Sequence, residues 1–536
     1  MSVADPAFPT RQYPYHRPDP AAGPEPMLAQ SLTTGTLYRF VVGLDPAPRP
    51  LTAEEIETLH DPFATGLLRR GNFPMTLREL LTDLDSLEGT GLPVQDLYMV
   101  GDGGQLLWSE ATAGVARGLR VIFTRRRTIG AEPDLLVSTS TALDSSQAFL
   151  QVVGWDETAG AFRFYERRNG SWLLAGSSWD ALVEPSRGRG PFDSHVNGAL
   201  VMKELKPPWS HWHSQSATIS PDVLAASDPF RNDPIWVQRK QAEIFEVAVA
   251  RPGIFRWTQA RLDRVMAADG TVSELPQLLR QVLTTTTVNL VSTSTQSDLV
   301  ARSDRLELPI TFFLDLDAFA GPLGLPLAPQ PLTVSGPAYA AARTQLELHL
   351  TDDAGFTRPG ETFFAFLVPE RALEDLVVLE ALITRGVLSV RLATCLLMVD
   401  FANPIWSQRR AALLSHVPPT VRAGASGAAL DQVLPEAIEA GAREIDGPEA
   451  EFLAWWDGSE QPEFVDRVQR RLLTYLTAWQ QRLDAPDGAV NLLRLAQGRR
   501  RRFRRNTLAE FALTVPRSPG DDVAELLQVN TNAMIS

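Results

Sequence analysis

The sequence predicts a multi-domain protein of mixed α+β class, and three observations carry that expectation. A chain of 536 residues is longer than one hydrophobic core normally organises, so about three to four domains are expected. Residues 135–174 carry strand and turn patterns only, which reads as a β-meander in the N-terminal half. Beyond Gly424–Gly427 the pattern is helical throughout. Composition divides the chain into a proline-rich arm at 1–30, an α+β domain at 31–225, a mixed α/β domain at 226–430 and a helical region at 431–536.

The elements follow in order. Residues 1–30 hold seven prolines, which block both helix and sheet ladders, so an extended arm is expected. A short strand-like run follows at Thr36–Val42. Asp61-Pro62 reads as an N-cap before a proline in the first helical position. A second helix at Thr76–Leu87 has Leu77, Leu80, Leu81 and Leu84 on one face. Leu97–Val100 and Gln105–Trp108, joined by glycines, predict a hairpin rather than a phosphate-cradling loop, because no helix pattern follows the glycines. The meander comprises Phe149–Gly154, Ala161–Glu166 and Trp172–Ala175, with Asn169-Gly170 as a type I′ turn. A helix opens at Asp233-Pro234 and runs toward Val249. Strands are expected near Leu306–Leu314, Leu346–Leu350 and Phe363–Val368, then helices at Glu370–Thr384 and Leu388–Met398. Phe464, Val468, Leu472, Leu476, Trp479 and Leu483 form the longest apolar stripe at helical spacing. LVSTST occurs at Leu136–Thr141 and Leu290–Thr295, and Pro-Ile-Trp-x-Gln-Arg at Pro234–Arg239 and Pro404–Arg409. These echoes fit either a diverged duplication, with 226–430 as the copy, or chance.

Composition excludes several function classes. The formal charge of −14 argues against general nucleic-acid binding. The single cysteine, Cys395, excludes a disulfide framework and any paired-cysteine metal site, and its apolar surroundings mark a buried small side chain. No apolar run reaches the roughly 18 residues that a membrane span needs. The N-terminus lacks a cationic region followed by an apolar one, so a cytoplasmic location is expected.

The chemistry concentrates in Arg187–Ser216. It holds three of the seven histidines and two of the three lysines, in a chain with 47 arginines. If the backbone after Pro208 is extended, His211 and His213 point to one side and Trp212 to the other. Two imidazoles so placed suit one metal ion, with His195 or Asp193 as a third ligand. Lys203 and Glu204 are candidates for acid/base work or for anchoring a substrate, and Trp209 for the pocket wall. The zinc-hydrolase pattern His-x-His-x-Asp-His is not met here. The competing reading makes these histidines hydrogen-bonded interior groups. Glu347 and His349, two residues apart on one expected strand, are a distant alternative partner. Phe312–Phe319, FFLDLDAF, places Asp-x-Asp after an apolar run, as Mg²⁺ sites do. No P-loop or downstream lysine accompanies it, so a strand ending in a solvated acidic turn is preferred.

The function expected from these residues is a metal-dependent enzyme acting on a small-molecule substrate, using Fe, Cu or Zn, with oxidoreductase favoured over hydrolase. The alternative is a non-catalytic scaffold or binding protein. It would use the proline-rich arm and the Arg499–Arg505 cluster, which places six arginines in seven residues.

Overall fold

The computed structural model describes residues 32–87, 94–101, 108–110, 113, 119–146, 148–168, 170–193, 195–200, 219–284, 286, 288–292, 305–351, 357–359, 367–422, 428–505, 515–517 and 527–535. The expected N-terminal arm, the turn residues 102–104 and the stretch 201–218 lie outside the described residues.

Apolar residues on both strand parities in the N-terminal half imply a sheet covered on both faces, and the structure has one. Its strands are β1 (Leu37–Arg39), β2 (Arg49–Pro50), β3 (Val94–Gly101), β4 (Leu119–Arg126), β5 (Leu135–Ser140), β6 (Leu150–Asp156), β7 (Ala161–Arg168) and β8 (Ser171–Ser177). The order is β2-β1-β8-β7-β6-β5-β4-β3. From β3 to β8 each strand pairs antiparallel with the next, so this part is an up-and-down meander. β1 joins parallel to β8. Alternate residues face opposite sides. Met99, Val121, Phe123, Leu135, Val137, Val152, Tyr165 and Trp172 share one core with the early helices. Tyr98, Ile122, Leu136, Phe162 and Phe164 join a second core on the other side, with Phe245, Ile254 and Trp257.

The two N-terminal helices begin where their caps predict. Thr76 and Glu79 form a reciprocal capping box at Leu77–Asp85. Asp61 caps Pro62–Gly66 by accepting from the Phe63 and Ala64 amides, both at 3.1 Å. Its other oxygen accepts from the Tyr165 hydroxyl at 2.5 Å, which pins that helix to the sheet. Gly154 lies beneath it, and a Cβ there would come within 2.6 Å of the Asp61 carboxylate. Burial raises the Asp61 carboxyl above its ordinary value.

The meander and the two capped helices agree with expectation, and several other elements differ for identifiable reasons. β3 pairs antiparallel with β4, and of the expected hairpin partner Gln105–Trp108 only Trp108 lies among the described residues. β4 supplies eight residues with nearly continuous burial, whereas Trp108 is exposed and its amide donates to the Asp222 carbonyl. The helix capped by Asp233 ends at Gln238. Lys240 turns extended there to serve β3, donating to the Leu97 carbonyl at 2.8 Å and accepting from the Met99 amide at 3.0 Å. Helix resumes at Ala242, passes through a π turn at Glu246–Ala250 and continues as Arg251–Val265. The strand near 306 is only Arg305–Leu308, because Pro309 has no N–H to continue the ladder. The strand near 367 is Leu367–Arg371, antiparallel to Val288–Ser292. The two Pro-Ile-Trp segments take different backbones: Pro234 opens a helix, whereas Trp406 has φ +60° and helix starts only at Gln408.

The C-terminal half is helical around a large core running from Leu262 to Ala533. All six residues of the long stripe are buried on one face of Phe464–Leu483. Cys395 is fully buried, and burial pushes its thiol up to about 12. Among the described residues no helix is long and apolar enough to cross a membrane.

Candidate functional site

The described part of the Arg187–Ser216 segment is a tight loop laid on the sheet's second face. Gly190–Asp193 forms a 3₁₀ turn, and the His195 amide donates to the Pro191 carbonyl. Phe192 is buried edge-on to Phe164, at 5.6 Å between ring centroids. The His195 ring lies on Phe164 at 5.0 Å, and its Nδ1 is 2.9 Å from the Ala199 carbonyl oxygen. A carbonyl only accepts, so in the neutral ring the proton sits on Nδ1 and Nε2 carries the lone pair. Gly198 has φ +83°, and a Cβ there would lie 2.6 Å from the Ser178 carbonyl oxygen. Only glycine fits that position.

From this loop a chain of hydrogen bonds runs into the interior. Asn197 Nδ2 donates to Thr286 Oγ1 at 3.0 Å, and Thr286 Oγ1 donates to Asp375 Oδ1 at 2.9 Å. From the other side Arg261 donates to Gln281 Oε1, and Gln281 Nε2 donates to the same Asp375 oxygen at 3.1 Å. Every donor thus points toward one carboxylate. Asp375 sits in the first turn of Leu373–Thr384, where helix N–H groups favour negative charge. Burial nevertheless dominates: it pushes the carboxyl up to about 6, against the opposing pull of the Arg371 charge and the Gln281 and Thr286 bonds. A carboxyl tuned to that range is what general acid/base chemistry near neutral pH requires.

The expected site residues divide by what the structure describes. His195 and Asp193 lie on the same tight loop. Lys203, Glu204, Trp209, His211 and His213 lie outside the described residues. Among the described residues no three or more His, Cys, Asp or Glu side chains are grouped as a metal would need. His349 opens a short strand, with its Nδ1 3.1 Å from the Glu347 carbonyl oxygen. Glu347 has φ +49° and precedes the strand, so the two do not share a strand face. The Asp-x-Asp motif is not a strand end, and only its second acid, Asp317, is solvated. Asp315 is buried and paired at 2.7 Å with the buried Arg371, and Asp317 opens the short helix Leu316–Ala320.

Sequence reasoning missed Asp375, Gln281, Arg261 and Arg371. The missed signal was in Leu373–Thr384: the rest of that helix is apolar nearly all round, so acids in its first turn have no exposed face to occupy. Comparison of the chain with protein families, curated proteins and solved structures gives no match.

Proposed function

We propose that the chain is a metal-dependent enzyme acting on a small molecule, with oxidation favoured over hydrolysis, and that its chemistry is sited around the Arg187–Ser216 segment. His211 and His213 are the ligands of an Fe, Cu or Zn ion, with His195 or Asp193 as the third. Lys203 or Glu204 anchors the substrate or moves a proton, and Trp209 walls the pocket. The observation that most supports a catalytic reading is the Asn197–Thr286–Asp375 relay. It joins the segment richest in histidine and lysine to a buried carboxyl that titrates near neutral pH. His195 adds to this, because an imidazole whose Nδ1 is held by a backbone carbonyl has the orientation and tautomer that a metal ligand uses.

The scaffold alternative loses part of its basis in the arginine cluster. Arg499 is buried over the Phe312 ring and donates to the Phe312 carbonyl, so it is committed to the fold.

Elemental analysis of the purified full-length chain tests the metal reading. About one equivalent of Fe, Cu or Zn per chain is expected. His211→Ala and His213→Ala should each lose the metal while circular dichroism stays unchanged, because such a site is grafted onto its scaffold. A chain that stays metal-free after incubation with each of the three ions would sink the proposal.

A further inference from the structure

Beside the relay stands a group of guanidiniums that have no carboxylate at ion-pair distance among the described residues. Arg187 Nη2 and Gln277 Nε2 both donate to the Leu182 carbonyl, each at 2.7 Å. The carbonyl of Gln277 in turn accepts from Arg261 at 3.3 Å. Arg280 lies on the same helix, Leu275–Leu283, one residue before the Gln281 that binds Arg261. Arg187 and Arg280 are half-buried, so both keep contact with solvent, whereas Arg261 is fully buried. Among the described residues no carboxylate reaches ion-pair distance of any of the three, and Arg280 makes no side-chain hydrogen bond.

The surrounding acids act on this group without pairing with it among the described residues. Arg371 is matched by Asp315. Glu374 and Asp375 face Arg261 and Arg280 from the next helix, and Glu274 and Glu184 act on Arg261 and Arg187. Asp375, raised to about 6, loses its charge only below that value, Glu374 is buried, and Glu274 and Glu184 are exposed to screening water. The three guanidiniums repel one another, and among the described residues none is offset by a carboxylate at ion-pair distance. Burial and the neighbouring Arg187 charge bring the Arg280 guanidinium down to about 9, despite the opposing pull of Asp375. A protein that retains such a cluster at the rim of a buried relay has it ready for an external anion.

We propose that Arg187, Arg261 and Arg280 form a binding site for an oxyanion, the phosphate or carboxylate group of a small molecule. Arg280 makes the principal contact, Arg187 closes the solvent side, and Arg261 supplies charge from below. That the anion is a substrate rests on the enzymatic reading above. That the site binds an anion does not.

The test is thermal unfolding of the full chain at low ionic strength, with inorganic phosphate in one arm, succinate in another and chloride as control. About 10 mM of the preferred oxyanion should raise Tm by about 3 °C or more over chloride at equal ionic strength. Phosphate ahead of succinate identifies a phosphoryl ligand, and the reverse order a carboxylate. Arg280→Gln should weaken the response about tenfold or more. Its Tm without oxyanion should equal or exceed that of the parent, because the substitution relieves repulsion. A merely structural arginine would lower that Tm. Arg187→Gln should also weaken the response. No oxyanion-specific stabilisation, or an undiminished response in Arg280→Gln, would overturn the site whatever the metal content. A metal-free chain that still responds to the oxyanion would overturn the enzymatic reading and leave this site standing.

Discussion

At the scale of single residues, Asp375 sets the pH behaviour. Its carboxyl holds its proton up to about 6 in the folded chain, against an ordinary 3.8 when unfolded. Between those values the folded state binds more protons, so this group's contribution to stability falls as pH rises through the window. The full effect at pH 7 is about 3 kcal/mol unfavourable. Asp375→Asn should therefore be more stable than the parent at pH 7 and indistinguishable from it near pH 3.5, by chemical denaturation at both values. An Asn variant that loses equal stability at both would show that the hydrogen bonds, not the charge, dominate. Arg371 and Asp315 behave oppositely. Both are buried and matched at 2.7 Å, so Asp315→Ala strands a cation in the core and should cost about 3–5 kcal/mol. A loss under 1 kcal/mol would mean that water reaches the pair.

At the scale of elements, local chemistry and period explain what was legible. The capping residues Asp61 and Thr76, the alternation in β6 to β8 and the stripe of Phe464–Leu483 each repeat one signal within a few residues. Leu472 is fully buried in that stripe, and Leu472→Ala should cost about 2–5 kcal/mol in urea unfolding. What escaped the sequence depends on distant partners. Nothing local says that Lys240 must leave its helix to bond β3, or that Asp315 meets a cation 56 positions later. Arg499 is the same case: six arginines in a row of seven look like a solvated face, yet the first is buried against Phe312. Arg499→Gln should therefore lower Tm by several degrees, measured by scanning calorimetry. An unchanged Tm would return that residue to the surface. The candidate site was half legible. Rare residue types marked the Arg187–Ser216 segment, but its buried carboxyl belongs to a helix some 175 residues further on.

At the scale of the whole molecule, one helix ties the two halves together. Arg251–Val265 places Ile254 and Trp257 in the sheet's second core, and Leu262 and Val265 in the helical core. Trp257 also donates to the Asn197 carbonyl at 2.7 Å and packs edge-on to Trp179. Trp257→Ala should cost about 3–5 kcal/mol and shift the unfolding of both halves together, followed by near-ultraviolet dichroism and hydrogen exchange. Separate transitions, with only one displaced, would mean that the helix serves one half alone. The bond between Lys240 and β3 has a different consequence, for self-association. An outermost strand is a template on which another copy can add itself. Among the described strands β3 is outermost on one side, but its Leu97 carbonyl and Met99 amide are already occupied by Lys240, whose ammonium sits against Asp96. On the other side β2 is two residues long and includes Pro50, which has no N–H to offer. Both margins of the eight-stranded sheet thus resist growth, which leaves this large β-surface poorly suited to seeding a fibre even at high protein concentration.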